Sequence, residues 1–561
     1  MQPDDKLISE KLIETRIPVE VYTQIEKIIW DEVKKTANPE EALAPYIFPF
    51  ENIKKIAESD NIEYKENVRN MADDVWEKES WLDALIIYYI LMHIITFLPA
   101  DIYKLGYTLA KLKYVDLAQK LIDLYESVST NKKVTCHAIA NYYYTAIDIP
   151  YKAIEYFEKY LEIDSSNPQV YVTMGYLYGK INDMVSLNKQ LEAFKKAYEL
   201  APDNPTVVKS LLTAYEKIHD IDKIKQLYPE LIKLAPSPQH SLNYGLYLMS
   251  WGNLYEGGKY FIERFDLDNY PIGYPKTILG TPTKWNYTDD ISDKILLVHY
   301  EEGFGDTIMY GRFLPLLKQF AKHMVFIIQP ELKNLFSQSP IFDGIELMAD
   351  IKDFVSKYKS EKFVHIPIMD TPFPLGIDKS FLPYSNGYLQ GIEPKVFEKN
   401  KFNIGISFSG DVGANYKGRD VEVERFFNIA KINGVQLYSL QVGEGAKTLE
   451  NIPKDVSIID LSKELKDFTD TAKAVSGLDL VITTDNVILN LSGALGKETF
   501  GLFNKYPNYR WFDLTGEDVK WYNSVKPFQC KEEDSWDEVF SEVEDCIKNR
   551  VSQKDKKDVK K

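Results

Sequence analysis

The feature that most constrains the fold is a change in the spacing of apolar residues near the middle of the chain. Up to about residue 265, apolar residues recur at helical spacing. From about residue 293 they form short runs, such as ILLVH, LYSLQ and LVITT, separated by amphipathic segments. Short apolar runs that alternate with helices are typical of βαβ units and parallel sheets. The sequence therefore predicts an α-helical region followed by an α/β region.

The helical region contains an internal repeat. The segment APDN at 201–204 recurs as APSP at 235–238, 34 positions later. Earlier units share the layout, with small residues such as Gly175 where two helices approach and large ones such as Phe194 opposite them. This pattern resembles the tetratricopeptide repeat (TPR), whose stacked helix pairs form a superhelix with a concave face. We expect that face to bind an extended polypeptide or a second subunit, including a second copy of this chain.

Composition limits the partners and the compartment. The 561 residues include 67 Lys and Arg against 84 Asp and Glu, a formal net charge of −17. An acidic surface disfavours nucleic acids and anionic membranes, because both are polyanions. Three cysteines are too few for a disulfide framework and lack metal-ligand spacing, so a reducing, cytoplasmic location is expected. The N-terminus has no apolar core typical of a secretory signal.

One apolar run, at residues 84–99, has the composition of a membrane segment. It reads ALIIYYILMHIITFLP and is flanked by Asp83 and Asp101. A membrane-spanning helix needs about 20 apolar residues, and this run is shorter and contains His93. The sequence therefore favours a buried helix of the helical region and predicts no integral membrane segment.

The strand-to-helix turn at residues 303–307, GFGDT, is the most informative segment of the α/β region. It follows the run ILLVH and precedes an amphipathic helix. Gly303 and Gly305 allow a tight turn and let a substrate approach the backbone. Asp306 and Thr307 lie near the helix N-terminus, above the carboxyl ends of the strands. Asp306 can accept a proton from an attacking hydroxyl or cap the helix, and spacing alone leaves both roles open.

Two further turns follow strands of the last α/β domain. After LVITT come Asp485 and Asn486, and Asn490 lies four positions beyond Asn486 on the same helical face. A diphosphate can bind at this helix N-terminus, although the segment alone favours an ordinary capped helix. After NIGISFS, a loop carries Lys417 and Arg419, which are suited to clamping phosphates. Basic loop residues are common, so this third turn gains weight only beside the other two.

Taken in order, these segments resemble a known group of bacterial proteins. The group consists of TPR proteins whose C-terminal region looks like the family 9 glycosyltransferases, which are related to heptosyltransferases. The resemblance covers about residues 100–550. The matching segments are 252–258 (GNLYEGG) with Tyr260 and 263–265 (ERF), 297–299 (LVH), 303–306 (GFGD), 467–468 (DF), 470–472 (DTA), Asp485, 493–496 (GALG), 510–511 (RW) and 521–522 (WY).

The resemblance implies a GT-B fold, in which two Rossmann-like domains face each other across a cleft. It further implies a metal-independent, inverting transfer in which Asp306 is the catalytic base. The same resemblance assigns an acceptor-side loop to Gly303, Gly305 and Thr307. It assigns donor and phosphate binding to Lys417, Arg419, Gln441, Asp485, Asn486 and Asn490.

Three positions depart from the pattern of this group. Asn486 stands where Thr or Ser is usual, Asn490 where His is usual, and Val442 where a basic residue is frequent. An asparagine donates a neutral hydrogen bond in place of a charge-assisted one. The difference is about 1–2 kcal/mol, or on the order of 5- to 30-fold in donor affinity. These departures indicate either a different donor or a degenerate site.

The resemblance thus implies a glycosyltransferase that moves a sugar from a nucleotide-sugar to a hydroxyl group, with a flagellin-like or other surface protein as acceptor. Neither a cofactor nor a metal is expected beyond the nucleotide-sugar co-substrate. A non-catalytic TPR scaffold with a degenerate sugar-nucleotide domain is the alternative, and an enzyme of lipopolysaccharide core synthesis fits the acidic charge less well. The predicted domains are a helical N-terminal region (1–100), TPR repeats (101–265), a linker (266–292), an N-terminal Rossmann-like domain (293–398), a donor-binding domain (399–550) and a charged tail (551–561).

Overall fold

The computed structural model divides the chain into two compact units, Met1–Ala235 and Pro236–Lys561. We call them the helical unit and the sheet unit. Lys417 lies outside the described residues, and the predicted domain boundaries stay a prediction. The structure describes residues 17–44, 61–267, 284–378, 381–410, 419–511 and 521–558.

The helical unit is built from antiparallel helix pairs whose ends the sequence specifies locally. Asn167 and Asn204 each cap a helix by accepting a hydrogen bond from a backbone N–H group two residues on, and proline follows each of them. The helices described in this unit are α1 (Val19–Val33), α2 (Pro39–Leu43), α3 (Ile62–Glu77), α4 (Trp81–Ile94), α5 (Pro99–Lys111), α6 (Val115–Val128), α7 (Lys132–Asn141), α8 (Pro150–Ile163), α9 (Pro168–Ile181), α10 (Met184–Leu200), α11 (Pro205–Lys217) and α12 (Ile221–Leu234).

The apolar run at 84–99 forms most of α4, as the sequence predicts. Ala84, Leu85 and Tyr88 are fully buried, because α4 is surrounded by neighbouring helices of the helical unit. Within the described part of the chain, no helix has the length and apolar character needed to cross a membrane.

The sheet unit begins with a helix pair, followed by a first parallel sheet. This pair, α13 and α14, shares a hydrophobic core with the sheet, in which Met249 and Phe261 join Leu296 and Phe313. The sheet has the strand order β3-β2-β1-β4, and all its pairings are parallel. Its elements with the helix pair are α13 (Pro238–Ser250), α14 (Leu254–Phe261), β1 (Ile291–His299), α15 (Phe304–Gly311), α16 (Leu314–Leu317), β2 (Ala321–Ile327), α17 (Pro330–Ser337), β3 (Glu346–Met348), α18 (Ile351–Lys357) and β4 (Phe363–Pro367).

A second parallel sheet follows, with six strands in the order β10-β9-β8-β5-β6-β7. The central strands β5 and β8 are short, largely apolar and buried at every position, which is the pattern of helix-covered parallel sheets. The predicted α-helical region followed by an α/β region is therefore confirmed. The elements are β5 (Phe402–Ser407), α19 (Phe427–Ala430), β6 (Val435–Ser439), β7 (Ile458–Asp460), α20 (Phe468–Gly477), β8 (Leu480–Thr484), α21 (Val487–Ala494), β9 (Thr499–Phe503), β10 (Val525–Gln529) and α22 (Trp536–Asp558).

The two sheets approach each other through the helices that follow their central strands. Helix α15 follows β1 and helix α21 follows β8, and the two helices pack together. A Cβ built on Gly305 in α15 would lie 3.1 Å from Nδ2 of Asn490 in α21. Since both helices begin at the carboxyl ends of their strands, their first turns bring polar residues of the two sheets into one region.

Candidate functional site

Asp306 lies in the first turn of α15 and makes two polar contacts. Its Oδ2 accepts a hydrogen bond of 3.2 Å from the backbone N–H of Gly303, and its Oδ1 is 2.5 Å from Nε of Arg510. The Asp306 and Arg510 side chains are 13% and 14% exposed. Arg510 also approaches Oε2 of Glu302 at 3.2 Å. Asp306 is thus both a capping group and one half of a mostly buried ion pair.

Arg510 belongs to the loop after β9, and its neighbours hold it in place. Its Nη1 donates a hydrogen bond of 3.0 Å to Oδ1 of Asn508, and its carbonyl accepts one of 2.6 Å from the indole of Trp521. Its guanidinium carbon lies 4.7 Å from the ring centroid of Tyr509. The sequence-based site residues did not include Arg510. The signal was present in the matching segment at 510–511, but nothing in the sequence indicated that this segment meets Asp306.

Burial and charge act in opposite directions on the two acidic groups of this region. Burial raises the pKa of Asp306, and the positive charge of Arg510 opposes that rise. Burial likewise raises the pKa of Asp485, while the Trp511 indole and the charges of Arg510 and Arg419 oppose it. Asp306 adds a further upward contribution to the pKa of Asp485. These mutual effects bring Asp306, Asp485, Arg419 and Arg510 into one electrostatic site.

Arg419 packs its guanidinium group on a glycine. A Cβ built on Gly410 would lie 2.4 Å from Nη2 of Arg419, so a larger residue would displace that side chain. Asp420 accepts a hydrogen bond of 2.9 Å from the backbone N–H of Gly410, and its Oδ1 lies 4.0 Å from Nε of Arg419. Arg419 therefore packs against Gly410, three residues after the end of β5.

Asn486 is committed to local structure. It is the N-cap of α21, and its Oδ1 accepts hydrogen bonds from the backbone N–H of Ile488 (2.9 Å) and the hydroxyl of Thr483 (3.0 Å). Its Nδ2 donates to the hydroxyls of Ser407 (3.0 Å) and Thr484 (3.2 Å). This residue ties the end of β8 to the end of β5, and its amide is occupied by these bonds.

Gln441 has a comparable structural role on the other side of β5. Its Oε1 accepts hydrogen bonds from the hydroxyl of Ser407 and the backbone N–H groups of Phe408 and Ser409, at 3.2 to 3.3 Å. Its Nε2 donates to the carbonyl of Ser409 at 3.1 Å. Gln441 therefore fixes the backbone of residues 408–409, which directly follow β5.

Asn490 and Thr307 also make internal hydrogen bonds. The hydroxyl of the buried Tyr522 donates to Oδ1 of Asn490 at 3.1 Å, while Nδ2 of Asn490 faces Gly305. The buried hydroxyl of Thr307 donates to Oε1 of Gln329 at 2.9 Å. These contacts fix α21 and α15.

The comparisons with known proteins reveal distant likenesses. No family model matches the chain. Protein FlbA of Caulobacter vibrioides is 22% identical over 293 residues, which cover 46% of this chain and 47% of that protein. The chain thus spans less than half the length of this curated relative.

Two solved structures resemble parts of the chain. A MamA structure from Desulfovibrio magneticus matches 32% of this chain and 99% of its own at 18% identity, with a TM-score of 0.27. A family 9 glycosyl transferase from Veillonella parvula matches 44% of this chain and 88% of its own at 12% identity, with a TM-score of 0.32. Likenesses this weak establish neither a family nor an activity, so the function has to be argued from the site.

Proposed function

We propose that the protein is a glycosyltransferase that transfers a sugar from a nucleotide-sugar to an acceptor hydroxyl. The observation that carries the proposal is the Asp306–Arg510 ion pair, which joins the two sheets at the carboxyl ends of their strands. A carboxylate beside two arginines supplies both groups that the reaction needs. The carboxylate accepts a proton, and the arginines neutralise the charge of the departing diphosphate.

In the proposed reaction, Oδ2 of Asp306 takes the proton of the acceptor hydroxyl. The hydroxyl oxygen forms a bond to the anomeric carbon, and the bond from that carbon to the diphosphate oxygen breaks with its electron pair. A carboxylate has about four lone-pair sites, so Asp306 retains capacity beside its contacts with Arg510 and Gly303. Burial raises the pKa of Asp306, which strengthens it as a base.

Arg419 and Arg510 are the proposed partners of the diphosphate, with Lys417 as a third cation. A guanidinium group can donate two parallel hydrogen bonds to two oxygens of a phosphate. Two arginines therefore suit a ligand with several phosphate oxygens, such as a diphosphate. Asn486 and Gln441 support the donor site indirectly, because their hydrogen bonds shape the ends of β5 and β8. The two amides thus have a structural role, and the direct donor contact that the resemblance implies for them stays a prediction.

The proposed acceptor is a polypeptide bound by the helical unit, whose helix pairs we interpret as TPR repeats. That unit exposes Tyr151, Met184 and Val185 to 66%, 77% and 66% of their surface. Tyr151 and Val185 line a cavity of about 330 Å³, together with Glu155 and Glu158. Exposed apolar side chains beside charged groups of both signs, Glu158 and Lys189, suit a polypeptide with apolar and charged residues.

The proposal is tested by incubating the full-length protein with a panel of nucleotide-sugars and measuring the release of nucleoside diphosphate. We expect Asp306→Asn to abolish turnover and to retain nucleotide binding, since the substitution removes the base but keeps the shape. The matched control is Asp350→Asn, because Asp350 caps α18 by accepting from the backbone N–H of Lys352 at 2.8 Å. Equal turnover in wild type and Asp306→Asn would refute the base assignment.

A second candidate function, a non-catalytic scaffold, is favoured by the contacts of Asp306 itself. Both of its oxygens already have partners, and an ion pair of 2.5 Å lowers the proton affinity of a carboxylate. A scaffold with a degenerate site predicts no nucleotide-dependent rise in the melting temperature. It also predicts that partner binding survives the combined loss of Lys417 and Arg419.

A further inference from the structure

A second cluster of buried charges lies apart from the Asp306–Arg510 pair. Arg264 donates hydrogen bonds of 2.7 Å from Nε and Nη2 to the two carboxylate oxygens of Glu301. Its Nη2 is also 2.7 Å from Oδ1 of Asp370. Arg264 and Asp370 are fully buried, and Glu301 is 2% exposed. Buried fork-to-carboxylate contacts of this kind fix geometry strongly.

The cluster is balanced in charge. Lys284 Nζ lies 3.3 Å from Oδ2 of Asp370, and the hydroxyl of Tyr287 donates to the same oxygen at 2.5 Å. Two cations, Arg264 and Lys284, therefore face two carboxylates, Glu301 and Asp370. A neutral, hydrogen-bonded arrangement is the form in which charges are tolerated in a protein interior.

The cluster connects the last helix pair to the loop that carries Asp306. Arg264 belongs to the 3₁₀ segment Ile262–Asp266, which continues directly from α14. Glu301 lies between β1 and α15, five positions before Asp306, and the intervening Glu302 contacts Arg510. A fixed Glu301 side chain therefore limits the positions available to this short loop.

The same helical segment also touches the loop that carries Arg510. The rings of Phe261 and Tyr509 have centroids 6.5 Å apart, and the guanidinium carbon of Arg510 lies 4.7 Å from the Tyr509 ring. Phe261 is linked to Arg264 as well, since its carbonyl accepts a hydrogen bond of 3.0 Å from Nη1 of Arg264. Residues 261–264 thus contact the loops of both members of the Asp306–Arg510 pair.

Tyr310 lies between the two charged clusters. It is fully buried, and its hydroxyl has no hydrogen-bond partner among the described residues. Burial raises the pKa of Tyr310, and the charges of Arg510, Asp306, Glu301 and Arg264 all act on it. Charged groups of both clusters therefore lie near this ring.

We infer that Arg264 is a positioning residue, which holds the loop before α15 so that Asp306 meets Arg510. Only the predicted effect on turnover rests on the proposed function. The positioning itself concerns the conformation of the loop and can be measured without any activity. The last helix pair is then a working part of the site in the sheet unit. Through its contacts with Glu301 and Asp370, Arg264 sets the position of Asp306, although it does not contact Asp306 itself.

The test uses the full-length protein with Arg264→Lys, which keeps the charge and loses the two-pronged contact. We expect faster hydrogen–deuterium exchange at the amides of Tyr300, Gly303 and Thr307, which are hydrogen-bonded around this loop. We also expect kcat for nucleotide-sugar turnover to fall by about tenfold to a hundredfold, with KM nearly unchanged. Binding of UDP and GDP should likewise stay near the wild-type level.

Arg69→Lys is the matched control. Arg69 Nη2 contacts the buried Asp101 at 3.0 Å in the helical unit, so the same chemical change is made at another arginine–carboxylate pair. This control should leave exchange at the three amides and turnover unchanged. If Arg264→Lys does not fold, Glu301→Gln weakens the carboxylate contact of Arg264, and Phe261→Leu removes the ring whose centroid lies 3.9 Å from its guanidinium carbon.

Wild-type exchange at these amides in correctly folded variants would overturn the inference. So would a loss of turnover that arises from KM alone, because a positioning residue acts on kcat. A third outcome combines two results: the wild-type protein turns over no nucleotide-sugar, and the variants still show faster exchange. That outcome would support the positioning role of Arg264 and reject the proposed function. The two claims therefore fail in distinguishable ways.

Discussion

At the scale of the residue, Asp306 combines the two roles that its sequence position leaves open. It accepts the hydrogen bond from Gly303 that a helix-capping group accepts, and it forms an ion pair with Arg510. The sequence predicts its place at the start of a helix, because the glycines and the preceding strand are local signals. It does not predict Arg510 as the partner, because that contact depends on how two separate sheets pack.

The donor residues illustrate the same limit. Asn486 and Gln441 lie at the predicted strand ends, yet their amides bond to neighbouring loops and helix backbone. The sequence locates each amide along the chain. The groups that form hydrogen bonds with it depend on which segments lie beside it in the fold. Arg419 and Asp485 lie within electrostatic reach of each other, and direct donor contacts for all of these residues stay a prediction.

The charge of Arg510 should be visible in the pH dependence of turnover. Arg510 opposes the burial-driven rise in the pKa of Asp306, so Arg510→Met should let that pKa rise further. A base must be deprotonated, and the acid limb of the kcat/KM profile should therefore move to higher pH. Arg510→Lys keeps the charge, so its acid limb should stay close to the wild-type position. An acid limb at the same pH in Arg510→Met would contradict the pairing.

At the scale of the element, the helix contacts and the long strands were predictable, whereas the shortest strands were not. Apolar runs such as ILLVH and LVITT coincide with β1 and β8, because a buried strand needs a continuous apolar stretch. The strands β3 and β7 have three residues each, too few for a periodic pattern. Both are edge strands, so their extended conformation depends on pairing with the neighbouring strand of the sheet rather than on a local sequence pattern.

Two glycines at helix contacts should respond differently to the same substitution. A Cβ on Gly175 would lie 2.3 Å from the ring of Phe194, whereas one on Gly106 would have its nearest neighbours at 3.2 Å. We expect Gly175→Ala to destabilise the helical unit by about 1–3 kcal/mol, the cost of overpacking. Gly106→Ala is the control with a smaller effect, because its neighbours need to move by only a few tenths of an ångström. The midpoints of urea unfolding measure both, and equal midpoints would contradict the predicted packing.

Glu346 at the edge strand β3 should make stability depend on pH. Partial burial would raise its pKa, but hydrogen bonds with Lys357, Tyr358 and His323 lower it from 4.5 to about 2. A carboxyl group with a lowered pKa contributes stability that is present above pH 4.5 and is lost as the pH falls toward 2. The difference in unfolding free energy between wild type and Glu346→Gln should therefore shrink over that interval.

The measurement is urea unfolding of both proteins from about pH 6 to about pH 3. Glu361→Gln is the control, since Glu361 pairs with Lys322 at 3.3 Å with both side chains about half exposed. Exposed pairs contribute little, so this substitution should change stability only slightly at any pH. A constant difference between wild type and Glu346→Gln across the range would show that Glu346 is not held ionised by its partners.

At the scale of the whole molecule, the division into a helical unit and a sheet unit follows from the two periodicities of the sequence. The exact place of the division does not, because the last helix pair has the same periodicity as those before it. Packing decides its place: a Cβ on Gly258 would lie 2.2 Å from the ring of Phe373, and Asp378 accepts a hydrogen bond from the N–H of Leu254. These contacts make the pair part of the sheet unit.

The net charge of −17 concerns the surface of the molecule, whereas the proposed polyanion site is local. Arg419 and Arg510 are mostly buried side chains, 20% and 14% exposed, beside Asp306 and Asp485. An acidic protein can bind a diphosphate when a few cations are focused in a partly desolvated cleft. The charge balance thus excludes broad polyanion surfaces and remains compatible with a nucleotide-sugar.

The most direct test of the account is a structure of the full-length protein with UDP or GDP bound. The proposal predicts that the diphosphate lies within hydrogen-bonding distance, about 3 Å, of Arg419 and Arg510, near the first turn of α21. It also predicts that Oδ2 of Asp306 faces the open end of that site. A nucleotide bound away from both arginines, or no binding at millimolar concentration, would contradict the central claim.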